Sequence, residues 1–428
     1  MLEDAFVHHR AKDYDAAEDI YQHLLGYMDQ PDANVLACYG MLWAQRGNYG
    51  LASHLLRQAV TVYPEHPGAW VNLAISLRHL GRKEAALYCA QQGVKYSNDE
   101  HAWNALAGLY LNTGEPEKGE EFARKAVECN PQHAEAQNNL ALALLEQGKF
   151  DEAWPHYEYR WLVEDKIDTQ RPWKAPKWDG KPIGYLVVQG EQGIGDEILF
   201  MGCFAEARKR ARYVAVECTE RLVDWFSASF GVPCYPNHAA LVAAEGEPEA
   251  FITMGSLPAL MGMPDGRPYL KRYRKAVPKR IGLAWRGGAA RTNKRERTIK
   301  PEMLRPILDI PGYEFTSVQY DGADDAKLIG IRDEVRGREI ESIRDEIASC
   351  ELVVSVCQTA VHMAGAIGVP ALVMTPRQCA WRYCGHPTRM IWYKNVELFR
   401  QRDDERWEPV IDRIAQRLAA MPAIQAAE

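Results

Sequence analysis

No apolar run in this 428-residue chain approaches the length of a membrane span, so a helix-spanning membrane protein is not expected. The first residues, MLEDAFVHHRAKDYD, are too polar for a secretory signal. Basic charge is not in excess either: the formal net charge is −7, which offers nucleic acid no overall attracting field. The ten cysteines include no CxxC pair. That pattern argues against zinc ribbons and disulfide frameworks and for buried thiols in a reducing compartment. The expectation is a cytoplasmic protein with no membrane span and no nucleic-acid partner. Its length suggests two or three domains.

What the chain does have is a spaced triple of small residues. Gly40, Ala74, Ala107 and Ala141 form one series, Gly47, Gly81, Gly114 and Gly148 a second, and Ala52, Ala86, Gly119 and Ala153 a third. Steps of 34, 33 and 34 residues separate the members of each series. A period near 34 marks stacked helix–turn–helix units of the tetratricopeptide kind. The small residues let two antiparallel helices approach, and the glycine ends the first of them. A weaker unit precedes, with Lys12, Ala17, Tyr21 and Leu24 in register. About four and a half repeats are expected over residues 1–162, forming an α-solenoid with a concave face. Asn72, Asn104, Asn138 and Asn139 fall in or near equivalent first-helix positions. They either line a groove for an extended acceptor polypeptide or are ordinary exposed asparagines.

Residues 163–182 break the helical period with three prolines and two tryptophans, Trp173 and Trp178. They read as an ordered connector rather than a glycine/serine linker. Beyond it, short apolar strands alternate with amphipathic helices, which implies parallel sheets covered by helices. The strands read as 184–189, 213–218, 249–254, 279–285, 313–319, 352–356 and 370–375, with helices over 195–210, 301–308 and 359–368. Two doubly wound blocks are expected, 183–275 and 276–402. A closing helix within 403–428, roughly 405–420, would pack back on the module and could cross onto the first block. Ligands then bind at the carboxyl ends of the strands.

Three stretches there carry chemistry. QGEQGIGDE (189–197) follows a strand and opens a helix. Gly190, Gly193 and Gly195 permit tight turns and close approach of a ligand. The stretch is neither a phosphate loop ending in Lys-Ser/Thr nor a full GxGxxG, so neither an ATPase nor a dehydrogenase is read from it. Asp196 in the first helical turn is either a functional carboxylate or a charge that complements the helix dipole. SVCQTAVHMAGA (355–366) places Gln358 and Thr359 at a second strand-to-helix junction, where free amides and a hydroxyl suit a diphosphate. The plainer reading is helix capping by Thr359 and a packed His362. WRGGAARTNKRERTIKPE (285–302) gathers six cations, Arg286, Arg291, Lys294, Arg295, Arg297 and Lys300. A phosphate-rich small ligand would account for most of them.

With these motifs the chain resembles bacterial proteins in which tetratricopeptide repeats are joined to a GT-B glycosyltransferase module of the ADP-heptose heptosyltransferase (family 9) type. It is more distantly similar to O-linked N-acetylglucosamine transferases. The resemblance runs through the repeats, the RPW…WDG connector, GEQGIGDEILF, IGLAWRGG, SVCQTAVHMAGA and LFRQ. It implies two Rossmann-like domains facing a crevice and transfer of a sugar from a nucleotide-sugar donor. It makes Asp196 the general base and sets the loop Gly193, Ile194 and Gly195 beneath sugar and acceptor. Cys357, Gln358, Thr359 and His362 then belong to the diphosphate site, Arg286, Lys294 and Arg297 neutralise the phosphates, and Gln319 touches the nucleoside. No metal or other cofactor is implied. The family has Ser-x-Asp-Thr where this chain has Ser355-Val356-Cys357-Gln358, so ADP-heptose does not follow as the donor.

The resulting expectation is a metal-independent glycosyltransferase acting on a protein or peptide held by the repeats through Asn72, Asn104 and Asn138. By analogy with the family, the acceptor could be flagellin or another surface protein. Two alternatives stand beside it: the same chemistry on a lipopolysaccharide or polysaccharide, and a non-catalytic scaffold with a vestigial nucleotide-sugar pocket. Repeat domains commonly pair, which leaves a homo-oligomer open.

Overall fold

The computed structural model describes residues 1–163, 173–287, 296–335, 339–402 and 405–421. It divides into two compact units, Met1–Gln147 with Pro155–Asp168 and Gly148–Trp154 with Thr169–Glu428.

The first unit is a helical solenoid. Its helices are α1 (Leu2–Arg10), α2 (Tyr14–Tyr27), α3 (Ala33–Gln45), α4 (Tyr49–Val62), α5 (Pro67–His79), α6 (Lys83–Tyr96), α7 (Glu100–Thr113), α8 (Pro116–Cys129) and α9 (Ala134–Glu146), and the repeat pattern closes with α10 (Phe150–Tyr157). The periodic residues do the work expected of them. Gly47, Gly81, Gly114 and Gly148 all adopt φ between +73° and +78° and end a helix in the left-handed region. Gly40 is small by necessity, since a Cβ there would lie 2.7 Å from Leu56 Cγ on the partner helix. Ala52, Ala74, Ala86, Ala107 and Ala141 are fully buried between helices. Starts are capped by side chains that accept first-turn amides: Asp32, Asn48, His66, Asp99 and His133.

The second unit holds two all-parallel sheets. One has strands β1 (Ile183–Gln189), β2 (Ala211–Glu217), β3 (Cys234–Tyr235) and β4 (Ala250–Thr253) in the order β3-β2-β1-β4. The other has β5 (Arg280–Ala284), β6 (Glu314–Ser317), β7 (Leu352–Val356), β8 (Ala371–Thr375) and β9 (Val396–Arg400) in the order β6-β5-β7-β8-β9. Central strands are apolar on both faces, as parallel strands under helices must be: Leu186, Val187 and Val188 are fully buried, as is all of β7 but a trace of Leu352. Strand order reverses beside β1 in the first sheet and beside β5 in the second. Reversal opens a crevice at the carboxyl end of each sheet.

Several expected elements take a different form. The helix read over 195–210 is broken into Ile194–Phe200, a 3-10 turn Met201–Cys203 and Phe204–Arg208. The Tyr269 hydroxyl donates to the Ile198 carbonyl, where a continuing helix would place the Gly202 amide. Strands β3 and β9 had no counterpart in the sequence reading. The closing helix, Trp407–Ala419, spends its apolar face on the second sheet: Val410, Ile411, Ile414 and Leu418 join Ile281, Leu283, Trp285 and Val354 in one core. Of the connector, Trp173 stacks on Phe251 at 5.8 Å and Trp178 is buried, its amide donating to the Phe251 carbonyl. That half of the connector is an extension of the β4 edge.

Candidate functional site

The glycine-rich loop leaves β1 at the reversal point. Glu191 fixes it by accepting the Gly255 amide, just past β4, at 2.7 Å. Gly190 has no room for a side chain, because a Cβ would lie 3.0 Å from both Glu197 and the Glu217 carbonyl. Gln192 takes the left-handed region at φ +69°, a strained state that a non-glycine residue holds only where its surroundings enforce it. Its side-chain oxygen accepts from Arg382 at 2.7 Å. Gly193 is different: a Cβ there would meet nothing nearer than Asp196 Oδ2 at 4.0 Å. Among the described residues no neighbour demands a glycine at that point.

The second sheet supplies the opposite wall. A Cβ at Gly195 would lie 3.2 Å from His362 Cδ2 and 3.4 Å from Thr359 Oγ1. The backbone after β1 thus packs directly on the first turn of the Thr359–Ile367 helix after β7. Asp196, on the same turn as Gly195, forms an ion pair with Arg382 from the segment after β8; the two side chains are 22% and 16% exposed. Arg297 Nη1 donates to the Cys357 carbonyl at 2.9 Å. Gln358 is the N-cap of the helix, and its side chain caps no amide; its amide nitrogen donates to Ser355 Oγ at 3.3 Å. The structure therefore brings together Gly195, Asp196, Arg297, Cys357, Gln358, Thr359 and His362.

Other expected contacts resolve into structural roles. The Cys357 thiol is buried against the sheet, and burial pushes it well above its ordinary value. His362 is 4% exposed between two tyrosines, with Tyr383 at 3.2 Å from Nε2 and Tyr393 at 3.5 Å from Nδ1. Burial, reinforced by Arg382, pushes the imidazole down to about 3. A neutral, enclosed histidine is no cation for a phosphate. Gln319 is also buried: its oxygen accepts the amides of Trp285 (3.0 Å) and Arg286 (2.8 Å), and its nitrogen donates to the Tyr320 carbonyl (2.9 Å). Its side chain ties β5 to β6 instead of facing a nucleoside. Arg286 pairs with Asp325 at 3.3 Å and donates to the Asp321 carbonyl. Asp325 also accepts from Trp285 Nε1 at 3.0 Å. Lys294 lies outside the described residues, as do Arg291 and Arg295. Among the described residues no group of histidines, cysteines and carboxylates is arranged to hold a metal ion, and no helix is long and apolar enough to cross a membrane.

Sequence reasoning missed Arg382, a cation that pairs with Asp196. The signal was available: QCAWRYC follows the apolar strand PALVMT, in the same strand-end position that singled out Arg286.

In the solenoid, Asn104 on α7 accepts from Asn139 on α9 at 2.7 Å. Asn72 instead donates to the Gly68 carbonyl of its own helix at 2.9 Å, and Asn138 is half-buried. A Cβ at Gly108 would lie 3.4 Å from both Arg78 Nη1 and Asn139 Nδ2. Arg78 is thus a further polar group on this surface, and burial lowers its guanidinium from the ordinary value.

Comparison with known proteins bears chiefly on this first unit. Tetratricopeptide-repeat models match residues 42–100, 100–133 and 122–154. The chain is similar to Protein FlbA of Caulobacter vibrioides, 22% identical over 442 residues that cover 90% of this chain and 72% of that protein. Among solved structures, MamA is 22% identical over 39% of this chain and 97% of its own length, with a TM-score of 0.32. TTC0263, a thermophilic tetratricopeptide-repeat protein of Thermus thermophilus, is 21% identical over 39% of this chain and 92% of its own, with a TM-score of 0.34. Residues 42–154 are tetratricopeptide repeats, a scaffold for protein–protein interaction.

Proposed function

We propose that the second unit is a GT-B glycosyltransferase and that the repeats recruit its protein or peptide acceptor. The observation that carries this reading is the packing of Gly195 on Thr359 and His362. It sets a carboxylate, Asp196, beside a helix start whose amides suit a diphosphate. In this reading Asp196 takes the proton of the acceptor hydroxyl as that oxygen attacks the sugar C1 and the bond from C1 to the diphosphate oxygen breaks. Amides at Gln358 and Thr359, with Arg297, receive the negative charge that develops on the leaving diphosphate. Among the described residues the space over Gly193 leaves room for the sugar. Arg382 has two roles to choose between: it neutralises Asp196 when no donor is bound, and a diphosphate would compete for it. Side chains and helix amides supply the positive charge, so the reaction needs no metal. On the solenoid, Arg78, Asn104 and Asn139 offer donors to carbonyls or carboxylates of an extended acceptor.

Asp196→Asn tests the assignment. The full chain is incubated with a nucleotide sugar and an acceptor, and both transfer and donor binding are measured. The variant is expected to lose 10²–10⁴-fold in turnover, the usual worth of a general base, and to bind the donor as before. Turnover equal to wild type would remove Asp196 from the chemistry. A second reading, a non-catalytic nucleotide-sugar sensor, is favoured by the Asp196–Arg382 ion pair, which occupies the carboxylate. It predicts donor binding without transfer in the wild type.

A further inference from the structure

The segment after β8 carries two cysteines that the catalytic reading does not use. Cys379 Sγ lies 3.7 Å from Cys384 Sγ, and both residues are half-buried. Arg400, on β9, donates Nη1 to Cys379 Sγ at 3.0 Å. The same guanidinium donates to the carbonyls of Tyr383, His386 and Pro387, so it is anchored by the segment it serves. Cys379 thus accepts from a fixed cation and from the Cys384 thiol. Two donors on one sulfur favour its thiolate, and these contacts bring the Cys379 thiol down to about 6. The other titratable neighbour, Cys357, is pushed the opposite way by burial. Between the two cysteines sit Arg382, which pairs with Asp196, and Tyr383, whose hydroxyl meets His362.

We propose that Cys379 and Cys384 form a peroxide-reactive thiol pair that closes to a disulfide. The Cys379 thiolate attacks one oxygen of a hydroperoxide. The O–O bond breaks, and the departing oxygen takes a proton to leave as water, or as an alcohol from an organic peroxide. Cys379 is now a sulfenic acid, oxidised by two electrons. Cys384 then gives up its proton and attacks the Cys379 sulfur. The S–O bond breaks, hydroxide leaves with that proton as water, and the disulfide forms. The sulfurs must close from 3.7 Å to about 2.05 Å. Four residues, Ala380 to Tyr383, lie inside the small ring this makes.

The test is made on the reduced full chain, so its result does not depend on glycosyl transfer. Protein is treated with equimolar hydrogen peroxide, alkylated with N-ethylmaleimide and mapped with trypsin. Cleavage after Arg377, Arg382 and Arg389 separates QCAWR from YCGHPTR, so the disulfide is read as these two peptides joined. The expected result is that linked pair as the principal product, reversed by dithiothreitol. In Cys384→Ser, dimedone should label Cys379. Arg400→Met should slow Cys379 alkylation at pH 7 by about tenfold. Oxidation spread evenly over other cysteines such as Cys38 and Cys129, or Cys379 still fully alkylated after peroxide, would overturn the proposal. The wild-type map decides it even if a variant fails to fold.

Discussion

Replacing Glu197 with glutamine should stabilise the second unit, and only at neutral to alkaline pH. Glu197 is 4% exposed in the turn that follows Asp196. Its carboxylate accepts the Thr219 amide at 2.9 Å and the Thr219 hydroxyl at 2.7 Å. Burial outweighs those two bonds and, with Glu217 and Asp196 nearby, pushes the carboxyl from 4.5 up to about 7. An unfolded chain loses this proton near pH 4.5, whereas the native chain holds it to about pH 7. Native protein therefore binds more protons through that window, and its stability falls as pH rises across it. The loss is complete above pH 7. About 2.5 pH units at about 1.4 kcal/mol each give roughly 3 kcal/mol. Glutamine keeps both contacts, since its oxygen accepts the Thr219 amide and its nitrogen donates to the hydroxyl oxygen, yet it never ionises. Wild type and Glu197→Gln should unfold alike at pH 4.5. At pH 8 the variant should be more stable by up to about 3 kcal/mol, or roughly 6–12 °C in Tm for a unit of this size. Calorimetry across pH 4.5–8 measures the difference, and other titrating groups cancel in it. A difference that stays flat with pH, or a variant less stable at pH 8, would refute the reasoning.

Two further substitutions probe the same module. Gly365→Ala places a Cβ 2.4–2.7 Å from the buried Tyr393 ring, so urea unfolding should show a loss of about 1–3 kcal/mol from overpacking. His362→Gln removes an imidazole that stays neutral in the fold to about pH 3 while the unfolded chain protonates it near 6.5. Wild type should lose stability as pH falls below 6.5, and the variant should lose about 2 kcal/mol less between pH 7.5 and pH 5; parallel urea-derived stabilities at the two pH values would contradict this.

The solenoid was legible because its determinants are local. A small residue, a glycine and a second small residue recur at fixed spacing, and each answers a steric demand within one helix pair. The central strands were legible for a related reason: burial on both faces makes them continuous apolar runs. Strand β9 has the mixed sequence Val-Glu-Leu-Phe-Arg at a sheet edge, where only one side of the ladder must be filled. Asp196 could be singled out from its glycine-rich setting and Arg382 from its strand-end position, but not their pairing, because Arg382 follows a strand of the other sheet. Gln319 and His362 looked like ligand contacts for the converse reason. Polar residues at strand ends and helix starts suit ligands, but they equally suit the fold's own amides and hydroxyls, and only packing decides between these uses.

A thermal-shift panel of nucleoside diphosphates and nucleotide sugars on the purified full chain tests the central claim most directly. A donor at 100 times its dissociation constant should stabilise the native state by roughly 2.7 kcal/mol. The account predicts a clear shift with one nucleotide family, lost in Arg297→Ala and in Thr359→Ala. No shift with any nucleotide at millimolar concentration would contradict it and leave the repeats as the working part of the protein.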